Sequence, residues 1–309
     1  MPGEAQREGR DVVQTYNEIY LDIRRTLKES GVEQAQLEAV ELMCAALGKR
    51  REEVLRDLSL YAGEHMTQQV YGLLQRRLAG EPIAYIVGEW EFYGLTLTVN
   101  PDVLIPRPDT ELLVERGILA VRDLPQARVL DLCTGSGCVG LALAYNCPQA
   151  QVVLADWSEK ALEVARQNLL RCQFTDQVAL VQANALEDPA RELGDFDLIL
   201  CNPPYIPRRV VEEELDLSVR GYEPHMALDG GEDGLDFYRA ITLHWKWALR
   251  SGGKLAFEIG YDQSQAVEQL MRERGFVQVR SFRDPGGHWR VVEGILEPIQ
   301  PEEPAGKEE

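Results

Sequence analysis

The sequence predicts an α/β protein with a doubly wound, mostly parallel, seven-stranded sheet, preceded by a small helical domain and a connecting β-hairpin. Three observations predict this fold. Residues 12–79 show a helical repeat of apolar positions, residues 90–99 alternate in polarity, and short apolar runs alternate with helical segments beyond residue 128.

Composition narrows the functional class. The chain has 309 residues, enough for one large and one small domain, and its net charge is −19. Affinity for nucleic acid depends largely on Lys and Arg that neutralise phosphates, so we expect no stable nucleic-acid binding. No apolar stretch approaches the roughly 18 residues of a membrane span, and the polar N-terminus lacks the apolar core of a signal peptide. We expect a cytoplasmic monomer that does not bind membranes.

The six cysteines are scattered and form no CxxC pair. A disulfide framework or a zinc site usually shows tighter, repeated spacing. Reduced thiols and no metal site are therefore expected.

The N-terminal helical domain is predicted over residues 12–80. Apolar residues recur there at steps of three and four, the period of one buried helical face, at Val12, Tyr16, Ile19, Ile23 and Leu27. Further helices are expected up to Leu78, and Gly80 is the predicted C-terminal stop. The polar segments 1–11 and 298–309, the second of them acidic, are expected to be disordered.

A hairpin linker is predicted over residues 81–108. Apolar positions alternate on both sides of Gly94, and prolines then interrupt any regular element. A helix should start near Asp109, whose carboxylate can cap it. The sheet domain is assigned to residues 109–297.

The strands of the sheet are short apolar runs mostly separated by helical segments, which indicates parallel strands with crossover helices. These runs are Arg128–Cys133, Val152–Trp157, Val178–Ala183, Phe196–Cys201 and Lys254–Ile259. Two final runs, Val277–Phe282 and Trp289–Leu296, are joined by a short Pro-Gly-Gly turn and are expected to be antiparallel.

A glycine-rich loop follows the first strand of the sheet. Gly135 and Gly137 allow the backbone to approach a ligand closely, and the crevice of an open α/β sheet lies at this edge. Asp156 ends the second strand and can accept both hydroxyls of a ribose. The spacing from Gly135 to Gly140 also satisfies the G-x-G-x-x-G pattern of NAD sites, so these residues leave the identity of a nucleotide cofactor open.

A second motif, Asn202-Pro203-Pro204-Tyr205, follows the fourth strand directly. The two prolines fix φ and make a stiff strand exit. The Asn202 side-chain carbonyl and the Pro203 backbone carbonyl can accept both hydrogens of an NH2 group, and Tyr205 can stack on a planar group. The motif therefore predicts a site that orients a planar amide or amine nitrogen.

Together, Asp131 before the glycine loop and the motif at Asn202 resemble class I methyltransferases. The resemblance implies S-adenosylmethionine as methyl donor and the class I methyltransferase fold with a terminal antiparallel pair. The cofactor-binding residues that it implies are Asp131, Cys133, Thr134, Gly135, Ser136, Gly137, Asp156, Trp157, Asn184, Ala185 and Asn202. This chain has Asn184-Ala185 where relatives often have an acid and an aromatic residue, and Cys133 where glycine is common.

More closely, the sequence resembles the bacterial release factor glutamine methyltransferases. The segments that carry the resemblance include 80–88, 103–111, 202–206, 222–224 and 227–239. The family methylates the glutamine of the Gly-Gly-Gln loop in peptide chain release factors. The resemblance implies that Asn202, Pro203, Pro204 and Tyr205 hold the glutamine amide and that the helical domain docks the release factor. It also implies that Arg107 contacts substrate, with Pro108 and Glu111 beside it over the cofactor pocket.

Two alternatives remain open at this point. An N6-adenine methyltransferase acting on nucleic acid would use the same four-residue motif on a flipped adenine, although the net charge of −19 disfavours it. A catalytically silent scaffold that binds S-adenosylmethionine is disfavoured by the intact Asn202 and Tyr205.

Overall fold

The structure, a computed structural model, describes residues 14–297, which divide into two compact units between Val87 and Gly88. The segments expected to be disordered, 1–11 and 298–309, lie outside the described residues, as does Val12.

The first unit is helical, as its apolar repeat predicts. Ile19, Ile23 and Leu27 are fully buried on one face of its first helix. That helix begins with a capping box, in which Thr15 and Glu18 satisfy each other's backbone N–H groups. The helices of this unit are α1 (Tyr16–Glu29), α2 (Ala35–Leu47), α3 (Arg51–Arg56), α4 (Glu64–Leu78) and α5 (Ile83–Val87).

Helix α5 falls inside the segment that the sequence assigned to the hairpin linker. The Pro82 carbonyl accepts hydrogen bonds from the backbone N–H groups of Tyr85 and Ile86, which begins the helical turn. Ile86 is buried in the apolar core of the helical unit. Burial of this side chain therefore extends the helical unit to Val87.

The second unit begins with the predicted hairpin, formed by β1 (Glu89–Phe92) and β2 (Leu95–Thr98). The two turn residues, Tyr93 and Gly94, have φ of 48° and 79°. Positive φ at both central positions defines the tight turn whose twist matches that of the flanking strands. Phe92 and Leu97 of the hairpin are buried in the core of this unit.

Helix α6 (Glu111–Val121) follows a short 3-10 turn, Pro108–Thr110. The expectation that Asp109 caps this helix was wrong. Pro108 starts the helical turn one residue earlier, so Asp109 lies inside it, and no side chain caps either element. The Asp109 carboxylate instead forms an ion pair of 2.9 Å with Arg290.

The sheet has seven strands, as predicted. Its order is β5-β4-β3-β6-β7-β9-β8, with β3 to β7 parallel and β9 antiparallel to both β7 and β8. The remaining elements of the unit are β3 (Arg128–Leu132), α7 (Cys138–Asn146), β4 (Gln151–Asp156), α8 (Glu159–Cys172), β5 (Val178–Gln182), β6 (Phe196–Cys201), α9 (Arg208–Glu213), α10 (Leu217–Arg220), α11 (Asp236–His244), β7 (Leu249–Glu258), α12 (Ser264–Glu273), β8 (Phe276–Arg283) and β9 (Trp289–Leu296).

Helices cover both faces of the sheet. Along β6, Leu198 and Leu200 belong to one buried apolar cluster, while Ile199 and Cys201 belong to the other. This alternation shows a strand buried on both faces, as expected for a parallel sheet. The strand order reverses at β3, between β4 and β6. Such a reversal opens a crevice at the carboxyl ends of the strands.

Candidate active site

A cavity of about 440 Å³ lies in the second unit, at the carboxyl ends of β3, β4 and β6. Most of the residues predicted for the site line it: Arg107, Asp131, Cys133, Thr134, Gly135, Ser136, Asp156, Trp157, Asn184, Ala185, Asn202 and Pro204. Gly137, Pro203 and Tyr205 are not among the lining residues. The structure thus brings the glycine loop and the start of the Asn202 motif to one cavity.

The glycine loop uses left-handed backbone at several positions. Gly135 and Gly137 have φ of 55° and 84°, and Gly137 is the N-cap of α7. Cys133 also has a positive φ, 60°. A residue with a β-carbon is strained in this region, so the backbone at Cys133 favours glycine.

Gly140 is where α7 packs most closely on the sheet. A β-carbon added there would lie 2.2 Å from Cδ2 of Leu154 and 3.0 Å from Oδ2 of Asp131. Close helix–strand packing is the role of the third glycine in a G-x-G-x-x-G pattern. This contact fixes the helix against the carboxylate that lines the cavity.

Asp131 is the most buried acid of the cavity lining, with 1% of its surface exposed. Its Oδ2 accepts hydrogen bonds from the Thr134 hydroxyl and, at 2.8 Å, from the Gly140 backbone N–H. Burial raises the pKa of Asp131 to about 7, although both hydrogen bonds oppose the increase. A bound cation would stabilise its charged form.

Asp156 ties β4 to the glycine loop. One carboxylate oxygen accepts from the Gly135 N–H and the other from the Ser158 N–H, both at 2.9 Å. Ser158, not Asp156, caps α8 through the Ala161 N–H. Burial raises the pKa of Asp156, and the backbone hydrogen bonds oppose this. Each oxygen keeps a second lone pair, which leaves room for a hydroxyl donor from a ligand.

The far end of the cavity is more apolar. Trp157 lines it and is 55% exposed, while Ala185 is buried in the core beneath it. The Asn184 side chain already donates to Glu187 and accepts from the Leu186 N–H. Trp157 therefore offers an exposed aromatic surface to a planar ring, whereas Ala185 offers none.

The cavity has the hydrogen-bonding groups that a nucleoside with a cationic group would need. Two of its acidic side chains, Asp131 and Asp156, can accept from a cationic group and from ribose hydroxyls. The Ser136 hydroxyl, also in the lining, is buried without a hydrogen-bond partner among the described residues. A buried hydroxyl without a partner is costly, and a polar ligand atom would satisfy it.

Asn202 lines the cavity just after β6, and its side-chain NH2 donates to the Thr110 hydroxyl at 3.3 Å. Tyr205 points elsewhere: its hydroxyl donates to Glu258 at 3.3 Å. Burial and the nearby Glu258 carboxylate raise the pKa of Tyr205. The two polar residues of the motif thus contact different partners. Of the two, only Asn202 lines the cavity.

Glu258 is a buried acid that the sequence analysis did not single out. It ends β7 beside β6 and is 1% exposed. Burial raises its pKa to about 7, against opposing effects of Thr110, Arg290 and Tyr205. A signal was present in the sequence, because an acid within an apolar strand run is unusual. Its nearness to the Asn202 motif follows only from the strand order.

Gln263 was also missed. Its side-chain NH2 donates to the Tyr205 carbonyl at 2.9 Å and to the Gly234 carbonyl at 3.3 Å, and its Oε1 accepts from the Gly260 N–H at 2.9 Å. Gly230 packs against the same strand exit, since a β-carbon there would lie 2.7 Å from Cα of Tyr205. These contacts hold the strand exit rigid.

Arg107 and Glu111 differ in placement. Arg107 lines the cavity and forms an ion pair with Glu223, a side chain only 3% exposed that also accepts from the Ile105 N–H. Glu111 instead accepts from the Tyr93 N–H of the hairpin and does not line the cavity. Arg107 is thus anchored at the cavity, and Glu111 anchors the hairpin.

Two features of the described residues concern membrane insertion and metal binding. Between residues 14 and 297, no helix is long and apolar enough to cross a membrane. Within the same range, no group of three or more His, Cys, Asp or Glu is arranged to hold a metal ion.

Comparison with known proteins places this site in a family. Residues 18–88 match the PrmC N-terminal domain, and residues 108–217 match the methyltransferase small domain. The hMettl16 catalytic domain, solved in complex with the MAT2A 3'UTR hairpin 6, has a TM-score of 0.53 at 14% identity. The match covers 78% of this chain and 87% of that one, and it shows a shared fold only.

Two curated relatives are similar enough to show the family, and both are called release factor glutamine methyltransferase. The protein of Geobacter sulfurreducens is 43% identical over 88% of this chain and 94% of its own length. The protein of Caulobacter vibrioides is 38% identical over 89% of this chain and 94% of its own length. The chain therefore belongs to the release factor glutamine methyltransferase family.

Proposed function

We propose that this protein transfers a methyl group from S-adenosylmethionine to the side-chain amide nitrogen of the glutamine in the Gly-Gly-Gln motif of peptide chain release factors. The observation that carries the proposal is the placement of Asn202. In the structure its NH2 group donates to Thr110, and in this orientation its carbonyl oxygen is left to accept a hydrogen bond in the cavity.

The cofactor would be held by the glycine loop and by Asp131 and Asp156 of the cavity lining. Asp131 suits the cationic amino group of the methionine moiety, and Asp156 suits the ribose hydroxyls. The unpaired Ser136 hydroxyl and the exposed face of Trp157 offer further contacts. When bound, S-adenosylmethionine supplies an electrophilic methyl group on a sulfonium centre.

The residues of this chain would act mainly by orientation. An amide nitrogen is a poor nucleophile because its lone pair is delocalised into the carbonyl group. The Asn202 side-chain oxygen and the Pro203 backbone carbonyl would each accept one N–H of the glutamine amide and point the nitrogen at the methyl group. The nitrogen loses one of its two protons to solvent during or after the attack.

The wider organisation follows from the same proposal. The helical domain, residues 12–80, would dock the release factor, residues 81–108 would link it, and residues 109–297 would carry out the transfer. Pro204 would stiffen the motif, and Arg107, anchored by Glu223, would contact the substrate at the cavity. Because release factors act on ribosomes, we propose a cytoplasmic protein, and we propose that it acts as a monomer.

Transfer to adenine in nucleic acid is the competing activity, because the Asn202 motif suits any planar NH2 group. The net charge of −19 opposes binding to a polyanion, and the relatives at 38% and 43% identity are named for release factors. The decisive assay follows labelled methyl transfer to a recombinant release factor, to the same factor with its loop glutamine replaced by alanine, and to adenine-containing DNA. Label is expected only on the unmodified factor, and label on DNA alone would refute the proposal.

A pair of variants tests the assigned role of Asn202. Asn202→Ala should retain cofactor affinity within about threefold but lose transfer by about 100-fold or more, because positioning contributes chiefly to the chemical step. The matched control is Asn146→Ala, which removes an exposed asparagine at the end of α7. Its rate should equal that of the unmodified protein. Unchanged transfer by Asn202→Ala would exclude this residue from the reaction.

A further inference from the structure

An asparagine side chain can present either of two ends. Its NH2 group donates and its oxygen accepts, and a rotation of 180° exchanges them. Only the oxygen can accept an N–H of a substrate amide. In the structure the Asn202 NH2 group faces the Thr110 hydroxyl at 3.3 Å. This contact alone does not fix the orientation, because a hydroxyl both donates and accepts.

Glu258 can remove this ambiguity. The pairing of Cys201 with Phe257 in adjacent parallel strands brings Asn202 to the level of Glu258. An ionised carboxylate only accepts. One oxygen of Glu258 accepts from Tyr205, and the other, Oε2, is buried and makes no hydrogen bond of good geometry with the described residues. The Thr110 hydroxyl lies close enough to lower the pKa of this carboxyl group.

Burial limits the hydrogen-bond partners that are open to the Thr110 hydroxyl. Thr110 is 2% exposed and Glu258 is 1% exposed, so water does not compete freely for their polar atoms. A buried hydroxyl proton needs an acceptor, and the open oxygen of Glu258 is an acceptor that cannot donate. When Thr110 donates to Glu258, the remaining lone pairs of its oxygen can only receive the Asn202 NH2 group.

We infer that Glu258 is a positioning residue that acts through Thr110: it directs the Thr110 hydroxyl proton to itself, which fixes the NH2 end of Asn202 on Thr110 and presents the Asn202 oxygen to the substrate. This inference rests on the proposed function of amide methylation. It assigns a reason for an acid at the end of β7 and for a threonine at the start of α6.

The inference gives the transfer rate a pH dependence. A protonated Glu258 can donate to Thr110, and Thr110 is then free to donate to the Asn202 oxygen, which turns the amide the wrong way. The pKa of Glu258, about 7, places this change near neutral pH. Charged and titratable groups from several surrounding elements act on Glu258 or are acted on by it: Asp109, Cys138, Tyr205, Tyr238 and Arg290.

The test compares Thr110→Val, which removes the hydroxyl at nearly constant shape, with Thr110→Ser, which keeps it. Single-turnover transfer to a recombinant release factor is measured from about pH 6 to about pH 8.5, with cofactor affinity measured alongside. Thr110→Val should lower the transfer rate by about tenfold or more with cofactor affinity within about twofold, because one misdirected buried hydrogen bond costs on the order of 1–2 kcal/mol. Thr110→Ser should stay within about threefold of the unmodified protein.

The pH profile separates orientation from a merely structural role. The rates of the unmodified protein and Thr110→Ser should fall as pH drops through about 7, the pKa of Glu258, whereas the rate of Thr110→Val should not show this fall. If Thr110→Val does not fold, Thr110→Ala serves as the hydroxyl-free variant. Equal rates for the hydroxyl-free and hydroxyl-bearing variants, or the same pH profile in both, would overturn the inference alone. No transfer to release factor by the unmodified protein would overturn the proposed function, and this inference with it.

Discussion

Replacing Asp131 with asparagine should stabilise the ligand-free protein at alkaline pH. Burial raises the pKa of Asp131 from 3.8 to about 7 in the folded protein. A raised carboxyl pKa means that the folded state holds its proton more tightly than the unfolded state does. The resulting destabilisation is absent below about pH 3.8, grows as pH rises to about 7, and is constant above that. The side-chain amide of the Asp131→Asn variant does not ionise, so the variant should escape this cost.

The magnitude follows from the size of the shift. Each pKa unit corresponds to about 1.4 kcal/mol, so a change from 3.8 to about 7 corresponds to about 4 kcal/mol at high pH. About 1.4 kcal/mol of this cost, the equivalent of one pKa unit, is already present at about pH 5. The difference in unfolding free energy between Asp131→Asn and the unmodified protein should therefore become more favourable to the variant by about 3 kcal/mol between about pH 5 and about pH 8.5.

Urea unfolding of the ligand-free protein at the two pH values measures this difference. Comparing the variant with the unmodified protein at each pH cancels the titration of Asp156 and Glu258, whose pKa values are also raised. Asp123→Asn, on a side chain that is 88% exposed, is the matched control and should change stability by less than about 0.5 kcal/mol. A variant-minus-unmodified difference that is the same at both pH values would refute the assignment of a raised pKa to Asp131.

Further substitutions test the packing around the cavity. Gly140→Ala should cost about 2 kcal/mol of unfolding free energy, because its methyl group has no room between α7 and the sheet. The control is Gly72→Ala in an open position of α4. This variant should be neutral or more stable by up to about 1 kcal/mol. Cys133→Gly should be more stable than Cys133→Ala by about 1 kcal/mol, because only glycine relieves the left-handed backbone; equal stability would contradict that strain. Glu223→Gln should lower the unfolding free energy by about 2 kcal/mol and slow methyl transfer, because it leaves Arg107 without its buried, charged partner. A Glu223→Gln variant with unchanged stability would show that the ion pair is not needed.

The sequence was sufficient for those features that depend on local pattern. The strand runs, the hairpin around Gly94 and the glycine loop each have a periodicity or a residue type that local sterics require. The helix starts near Asp109 as predicted, but the capping role given to Asp109 was wrong, because Pro108 takes the first helical position and places Asp109 inside the turn. The boundary of the helical unit was hard to read for a similar reason, since α5 has only five residues and depends on the burial of Ile86.

The polar contacts inside the site could not be predicted in the same way, because they join residues that are distant in the chain. Thr110, Asn202 and Glu258 meet only because β6 lies between β3 and β7 and α6 precedes them. The local sequence marks Asn202 by its motif and Glu258 as an acid in an apolar strand run, but nothing local pairs them with each other or with Thr110. The strand order that brings them together is a property of the whole sheet. The chemical type of a site can therefore be predicted from its sequence motif, while the polar contacts that hold the motif emerge only when the sheet is assembled. For this protein the distinction is testable, because loss of Asn202 should abolish transfer, whereas loss of the Thr110 hydroxyl should slow it and remove its dependence on pH near 7.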